Sequence, residues 1–374
     1  VNFPYLASYG TNSTYNYLIN GSKPVIVKAP GLGAPDFTWE TVTQMDFGFD
    51  ASFLNNRLTG TFDWYRRNTK DMLVAGATLP ATLGASVPKS NSADMKTIGW
   101  ELSLGWNDRL ENGFSYWVKG VLSDYQATIT KYAGNDAGFY SQSDDDGKYY
   151  VGQKIGEIWG YHSNGLFQSD DEAATIDQSE LYAGKWGAGD VKYEDLDNDG
   201  KITKGEETIY NPGDKSIIGN KTPRYQFGIT VGFDYKNFDF EMFWQGTGKR
   251  DYMLSGAQFW GFTSQWDVPY TPALDYWTET NTDAYFPRPG WQNGGNRVTS
   301  DRYLQSAAYG RLKNLTVGYT IPKNLTTKWG ISRLRLYVTG ENLLTITPLN
   351  DAFDPETLGG MTYPINRKVA IGLN

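Results

Sequence analysis

Gln44-Met45-Asp46-Phe47-Gly48-Phe49-Asp50-Ala51-Ser52-Phe53 is followed, after Leu54-Asn55-Asn56-Arg57, by Leu58-Thr59-Gly60-Thr61-Phe62-Asp63-Trp64-Tyr65. In an extended chain successive side chains point to opposite faces. Met45, Phe47, Phe49, Ala51 and Phe53 therefore share one face, and Asp46, Gly48, Asp50 and Ser52 the other. Leu58, Gly60, Phe62 and Trp64 likewise alternate with Thr59, Thr61, Asp63 and Tyr65. Two such runs joined by a short connection predict a β-hairpin.

The alternation recurs along the chain. Ile98, Trp100, Leu102, Leu104 and Trp106 form one apolar face, and Phe114, Tyr116, Val118, Gly120 and Leu122 the next. Phe227 to Tyr235 and Phe238 to Trp244 repeat it on either side of Lys236-Asn237. Leu315 to Ile321, Leu334 to Val338 and Val369 to Leu373 follow, and Phe3 to Thr11 precedes them, giving about ten strands. The connections alternate in length. Those at 54–57, 108–112, 236–237 and 322–332 are tight, whereas 12–42, 70–95, 132–223 and 253–302 are long. A membrane barrel has short turns at one end and long external loops at the other, with aromatic residues near strand ends. A β-sandwich shows the same alternation, but it gives no reason for every long loop to lie at one end.

Composition narrows the classes. Among 374 residues there are 42 Gly, 26 Tyr, 18 Phe, 13 Trp, no Cys and one histidine, His162. Disulfides, thiol chemistry and a histidine metal cluster are excluded, and a Ser-His-Asp relay could run only through His162, which reads as a loop hydrogen-bonder. The net charge is -8 without a basic block, which argues against nucleic acid. No run approaches the roughly 18 apolar residues of a membrane helix, a fact that says nothing about barrel strands, whose mean hydropathy is low. No secretory leader is visible at Val1, so the start of an exported protein would lie upstream.

Several segments are similar to the SusC/RagA-type TonB-dependent transporters of Bacteroidetes. Thr38-Trp39-Glu40-Thr41-Val42-Thr43-Gln44 and the hairpin beginning at Phe47 resemble that family's mid-barrel hairpin. Ala273-Leu274-Asp275-Tyr276-Trp277-Thr278 resembles a late loop. The segments 311–324 and 334–347, with Phe353-Asp354-Pro355-Glu356 and Tyr363-Pro364, resemble its closing strands. The resemblance runs from near Tyr9 to Asn374. It implies an all-β chain, the C-terminal part of an antiparallel transmembrane barrel of about 22 strands. It also implies a plug domain and a TonB-contacting segment that this sequence does not contain. A SusD-type surface lipoprotein, an oligosaccharide cargo with peptide as the alternative, and the bacterial outer membrane follow from the same resemblance. On this reading the chain is a transporter segment and no enzyme. A passive porin would have shorter loops. A secreted sandwich that binds or cleaves carbohydrate would need no detergent.

Two constellations carry site chemistry. Asp195-Leu196-Asp197-Asn198-Asp199-Gly200-Lys201-Ile202-Thr203-Lys204-Gly205-Glu206 matches the twelve-position EF-hand loop. Asp195, Asp197 and Asp199 supply carboxylates, Lys201 its carbonyl, Thr203 a direct or water-mediated ligand, and Glu206 a bidentate carboxylate. Hard oxygen donors at this spacing suit Ca²⁺, here as a structural ion pinning the loop 133–223. An acidic turn holding no ion is the alternative. The second constellation is aromatic: Trp260, Trp266, Tyr270, Trp277 and Trp291 in the loop 253–302, with Trp159 and Tyr161 in the loop 133–223. Exposed rings of this kind stack on sugars or peptide side chains, or else pack the loop itself.

Overall fold

The computed structural model describes residues 11–12, 18, 21–23, 26–27, 37–75, 82, 88–133, 135, 138–139, 149–183, 185–264, 266–290, 294–359 and 363–374. The expected strand from Phe3 to Thr11 lies almost wholly outside them. In chain order the described strands are β1 (Thr11–Asn12), β2 (Ile26–Val27), β3 (Thr41–Phe53), β4 (Leu58–Ala75), β5 (Lys89–Arg109), β6 (Ser115–Tyr132), β7 (Glu157–Tyr161), β8 (Ser163–Leu166) and β9 (Val191–Tyr193). They continue as β10 (Lys215–Asn220), β11 (Arg224–Tyr235), β12 (Phe238–Lys249), β13 (Asp251–Met253), β14 (Leu304–Ser306), β15 (Tyr309–Thr320), β16 (Arg335–Ile346) and β17 (Lys368–Leu373).

Nine of these form one sheet in the order β17-β16-β15-β12-β11-β6-β5-β4-β3. Every neighbouring pair is antiparallel. The register converts the sequence alternation into two faces. Phe53, Leu58, Trp106, Val118, Val231, Met242, Leu315, Gly340 and Val369 lie side by side in one row across all nine strands. The adjacent row, on the opposite face, is Ser52, Thr59, Gly105, Lys119, Thr230, Phe243, Asn314, Glu341 and Lys368. Phe47, Phe49, Val118, Ile229, Phe238, Val317 and Val338 are exposed on the apolar face. No second described sheet covers it, so a sandwich is excluded, and lipid is the medium that satisfies such a surface.

On the polar face large side chains lie flat against the neighbouring strand where that strand carries glycine. Tyr65 rests over Gly99 and Trp117 over Gly232, and a Cβ on either glycine would run into the ring. These glycines keep both rings against the wall.

The strands run further than the alternating segments. β4, β5 and β6 have 18, 21 and 18 residues, against roughly 9–11 for a tilted membrane strand. The connection expected at 70–95 is accordingly shorter, because Met72 to Ala75 and Lys89 to Ala93 continue the ladder through bulges at Thr69/Met72 and Met72/Leu73. Above the membrane band Ala93, Ile129 and Tyr132 are buried with Met72, Val74 and Met95 against Tyr149 and Ile155.

The long connections fold into a compact external body. Three short antiparallel pairs, β7 with β10, β8 with β9 and β13 with β14, carry its backbone. Its core contains Tyr182, Val191, Tyr193, Ile202, Phe259, Trp277, Phe286, Tyr303, Leu349 and Leu358. Residues from the 133–223, 253–302 and 347–367 connections thus share one apolar core, so the loops order one another. The buried Asp190 cross-links them as well. Its Oδ1 accepts from Asn296 at 2.9 Å, and its Oδ2 accepts from Gly187 N–H at 2.9 Å and lies 3.3 Å from Arg288 Nη2.

Candidate functional site: the acidic loop and the external surface

Asp195 opens the acidic loop. Its Oδ1 accepts from Asn198 N–H at 2.7 Å and its Oδ2 from Gly200 N–H at 2.8 Å. These bonds wrap the backbone around the carboxylate, and Gly200 supplies the left-handed conformation (φ 83°) that the turn requires. Ile202 points the other way into the external core. Its N–H donates to Asp177 O at 2.7 Å, while Asp177 N–H donates to Gly200 O at 3.0 Å. The loop is thereby tied to the segment before the short helix Ser179–Tyr182.

Among the described residues, the carboxylates that converge here are Asp195, Asp197 and Asp214, with ligand oxygens within 4.8 Å of one another. Asp199 Oδ1 instead accepts from Lys201 N–H at 2.8 Å. Glu206 is exposed in the return turn, where its N–H donates to Asn211 O at 3.0 Å. Asp214, outside the twelve-position pattern, stands beside Asp195 and Asp197, whereas Glu206 does not converge with them. Asp214 is 1% exposed, and it accepts from Leu196 N–H at 2.8 Å and from Thr203 N–H at 2.7 Å. Burial pushes its carboxyl above the usual range, against the pull of those two N–H groups, and Asp197 and Asp195 push it further. No cationic side chain pairs with Asp214 among the described residues. Three carboxylates held this close, one of them buried, fit a hard divalent cation.

The aromatic candidates divide sharply. Trp159, Tyr161, Trp260 and Trp277 are buried. Trp159 stacks on Phe139 with centroids 3.9 Å apart, Trp260 meets Tyr303 edge-on at 4.6 Å, and Tyr161 lies 5.4 Å from Tyr193. Tyr161, Trp260 and Trp277 build the external core and Trp159 a smaller cluster with Phe139 and Tyr150, and none presents a free face. By contrast Trp266 is 83% and Tyr270 45% exposed, on a segment with the exposed Val268 and Leu274. Asp267 braces that segment by accepting from Ser264 N–H at 2.7 Å. Trp291 lies outside the described residues.

His162 is held at both nitrogens, Nδ1 2.7 Å from Asp301 Oδ2 and Nε2 2.7 Å from Ser216 Oγ. The order Asp-His-Ser resembles a hydrolytic relay, which the sequence did not reveal because the three residues are far apart in the chain. Asp301 Oδ1 also accepts from Ser163 N–H at 2.9 Å. The three side chains tie β10 to the end of the 253–302 connection.

An antiparallel sheet with an exposed apolar face, tight turns at one end and an ordered loop body at the other defines the wall of an outer-membrane β-barrel. The comparisons refine this. The pattern of the family "TonB dependent receptor-like, beta-barrel" matches residues 3–343, and the chain belongs to that family. TonB-dependent receptor P3 of Formosa agariphila is 29% identical over 99% of this chain and 38% of its own length. TonB-dependent receptor SusC of Bacteroides thetaiotaomicron is 25% identical over 100% of this chain and 35% of its own. The chain thus spans little more than a third of these relatives. The RagAB peptide transporter shares the fold, with a TM-score of 0.73 at 22% identity over 100% of this chain and 38% of that one. The relatives are receptors and transporters of the outer membrane, not enzymes.

Proposed function

We propose that this chain forms part of the wall and the external mouth of a TonB-dependent import channel whose cargo is an oligosaccharide. In the whole protein a plug closes the lumen until TonB engages it, and a SusD-type lipoprotein covers the external body. The observation that carries this reading is the loop body itself. Loops that only shield a barrel need no common core, whereas a rigid mouth that receives a partner and a cargo does. Of the rings singled out in the sequence, Trp266 and Tyr270 are the described ones with a free face for a sugar. Peptide cargo is the second reading, because RagAB, which shares the fold, is a peptide transporter.

Uptake of labelled oligosaccharides and peptides by cells carrying the whole protein tests the cargo. The expected outcome is oligosaccharide uptake that stops when TonB is deleted. Trp266→Ala with Tyr270→Ala should weaken it roughly fivefold, the equivalent of about 1 kcal/mol of stacking. TonB-dependent peptide uptake with no oligosaccharide uptake would reverse the choice of cargo, and uptake independent of TonB would contradict import of this type.

We also propose that the acidic loop holds Ca²⁺ through Asp195, Asp197 and Asp214. Asp199, the Lys201 carbonyl, Thr203 and Glu206 are the remaining positions of the sequence pattern. The ion would supply the charge that these carboxylates lack and fasten the 133–223 connection. Titration calorimetry on chelator-treated protein should show one site that Asp197→Ala and Asp214→Asn each abolish and Glu206→Gln spares. At calcium about 100-fold above Kd the external body should gain about 2.7 kcal/mol. Unchanged heats in Asp197→Ala would remove the assignment.

A further inference from the structure

The apolar face changes character toward the loop end of β4, β5 and β6. Phe62, Leu102 and Leu122 lie side by side in one row. The next row on this face is Trp64, Trp100 and Asp124, and the one beyond it Arg66, Ile98 and Gln126. Beyond that come Asn68, Lys96 and Thr128, and Thr128 is bridged in turn to Lys154 of the following connection. Paired residues of an antiparallel ladder project to the same side. Arg66, Lys96 and Lys154 therefore stand on the lipid-facing side, just above the two tryptophans. Arg66 and Lys96 are diagonal neighbours. Lys96 and Lys154 flank Thr128, about 10 Å apart at the usual strand spacing.

None of the three cations forms an ion pair with a described carboxylate, although acids stand nearby. Asp124 is taken by Arg224 in a two-pronged pair. Glu157 accepts the Tyr150 hydroxyl at 2.5 Å and Lys154 N–H at 3.1 Å. Asp94 accepts Asp71 N–H at 3.0 Å. Among the described residues Arg66 donates only to the neutral Asn68, at 3.2 Å. Arg66 and Lys154 are exposed and Lys96 half-buried. Tryptophans mark the depth where acyl chains meet headgroups. Cations immediately outside that level, on the lipid side and on the side of the long loops, face the headgroups of the outer leaflet. An unpaired cluster there suits phosphate, which accepts charge-assisted hydrogen bonds from both guanidinium and ammonium.

We propose that Arg66, Lys96 and Lys154 form a site for the phosphate groups of a phosphorylated lipid of the outer leaflet, with Trp64 and Trp100 against its acyl chains. The site needs the sheet to face lipid and is independent of the cargo.

Native mass spectrometry of the whole protein in detergent, titrated with bisphosphorylated lipid A, tests it. Saturable binding is expected, with phosphatidylcholine and dephosphorylated lipid A binding at least tenfold more weakly. Each of Arg66→Gln, Lys96→Gln and Lys154→Gln should weaken binding roughly fivefold, and the three together about 100-fold. Lys328→Gln, at the tight-turn end, should leave it unchanged. Resistance to SDS before heating checks that each variant is folded, and the single variants decide the matter if the triple one is not. Equal binding by folded wild type and variants would overturn the site. Displacement of the lipid by millimolar inorganic phosphate would make it a site for the free anion and overturn the assignment to lipid.

Discussion

Arg311→Ala should lower the stability of the loop end by about 3 kcal/mol or more, in the range for breaking a buried ion pair from one side. The guanidinium is 2% exposed and lies at the start of β15. Its Nη2 donates to Asp354 Oδ2 at 2.6 Å, its Nε donates to Thr345 Oγ1 at 2.9 Å, and its Nη1 stands 3.0 Å from Glu356 Oε2. It thereby joins two strands of the wall to the connection between β16 and β17. Truncation leaves Asp354 without this partner and Glu356 with Lys313, at 3.1 Å, among the described cations. Thermal loss of SDS resistance should move down by several degrees, and protease should cut 347–367 in folded protein. Arg311→Lys, which keeps charge without the planar fork, should fall between. An unchanged transition in Arg311→Ala would mean that the wall does not depend on this link.

Phe259→Ala should have a comparable effect in a different place, about 3–5 kcal/mol confined to the external body. Phe259 is 1% exposed. Its ring meets Trp260 and Phe286 edge-on with centroids at 5.1 Å, and Tyr303 and Phe353 at 6.2 Å. The cavity would open where the 253–302 and 347–367 connections meet. Limited proteolysis on whole cells should cut both connections far faster than in wild type while the barrel stays SDS-resistant. Loss of the barrel together with the loops would show that the two unfold as one unit.

These expectations depend on contacts that differ greatly in how far the sequence discloses them. The wall is legible because a lipid-facing strand must alternate, and Met45 to Trp64 shows the period and the turn at once. Strand ends are less so. Lys70 to Ala75 reads as the start of the 70–95 connection, yet it lies in β4 because bulges at Thr69/Met72 and Met72/Leu73 let the strand continue. The acidic loop is legible as a motif through Asp195, Asp197 and Gly200. Asp214 is not, since it arrives only after a reversal through Gly205 and Gly213, both with positive φ. The aromatic loop shows no period at all. Nothing local in the sequence separates the buried Trp260 from the exposed Trp266, because the difference comes from residues on other connections. The His162 contacts to Ser216 and Asp301 are hidden for the same reason.

The most direct test of the central account, a barrel wall with its loop body outside the cell, is cysteine accessibility. This chain contains no cysteine, and with any cysteine elsewhere in the whole protein replaced by serine, single cysteines placed in this chain can be probed with a membrane-impermeant maleimide. Trp266→Cys should label on intact cells. Glu111→Cys, in the tight turn between β5 and β6, should label only after the outer membrane is permeabilised. Labelling of Glu111→Cys on intact cells, with Trp266→Cys protected, would invert the orientation and contradict the account.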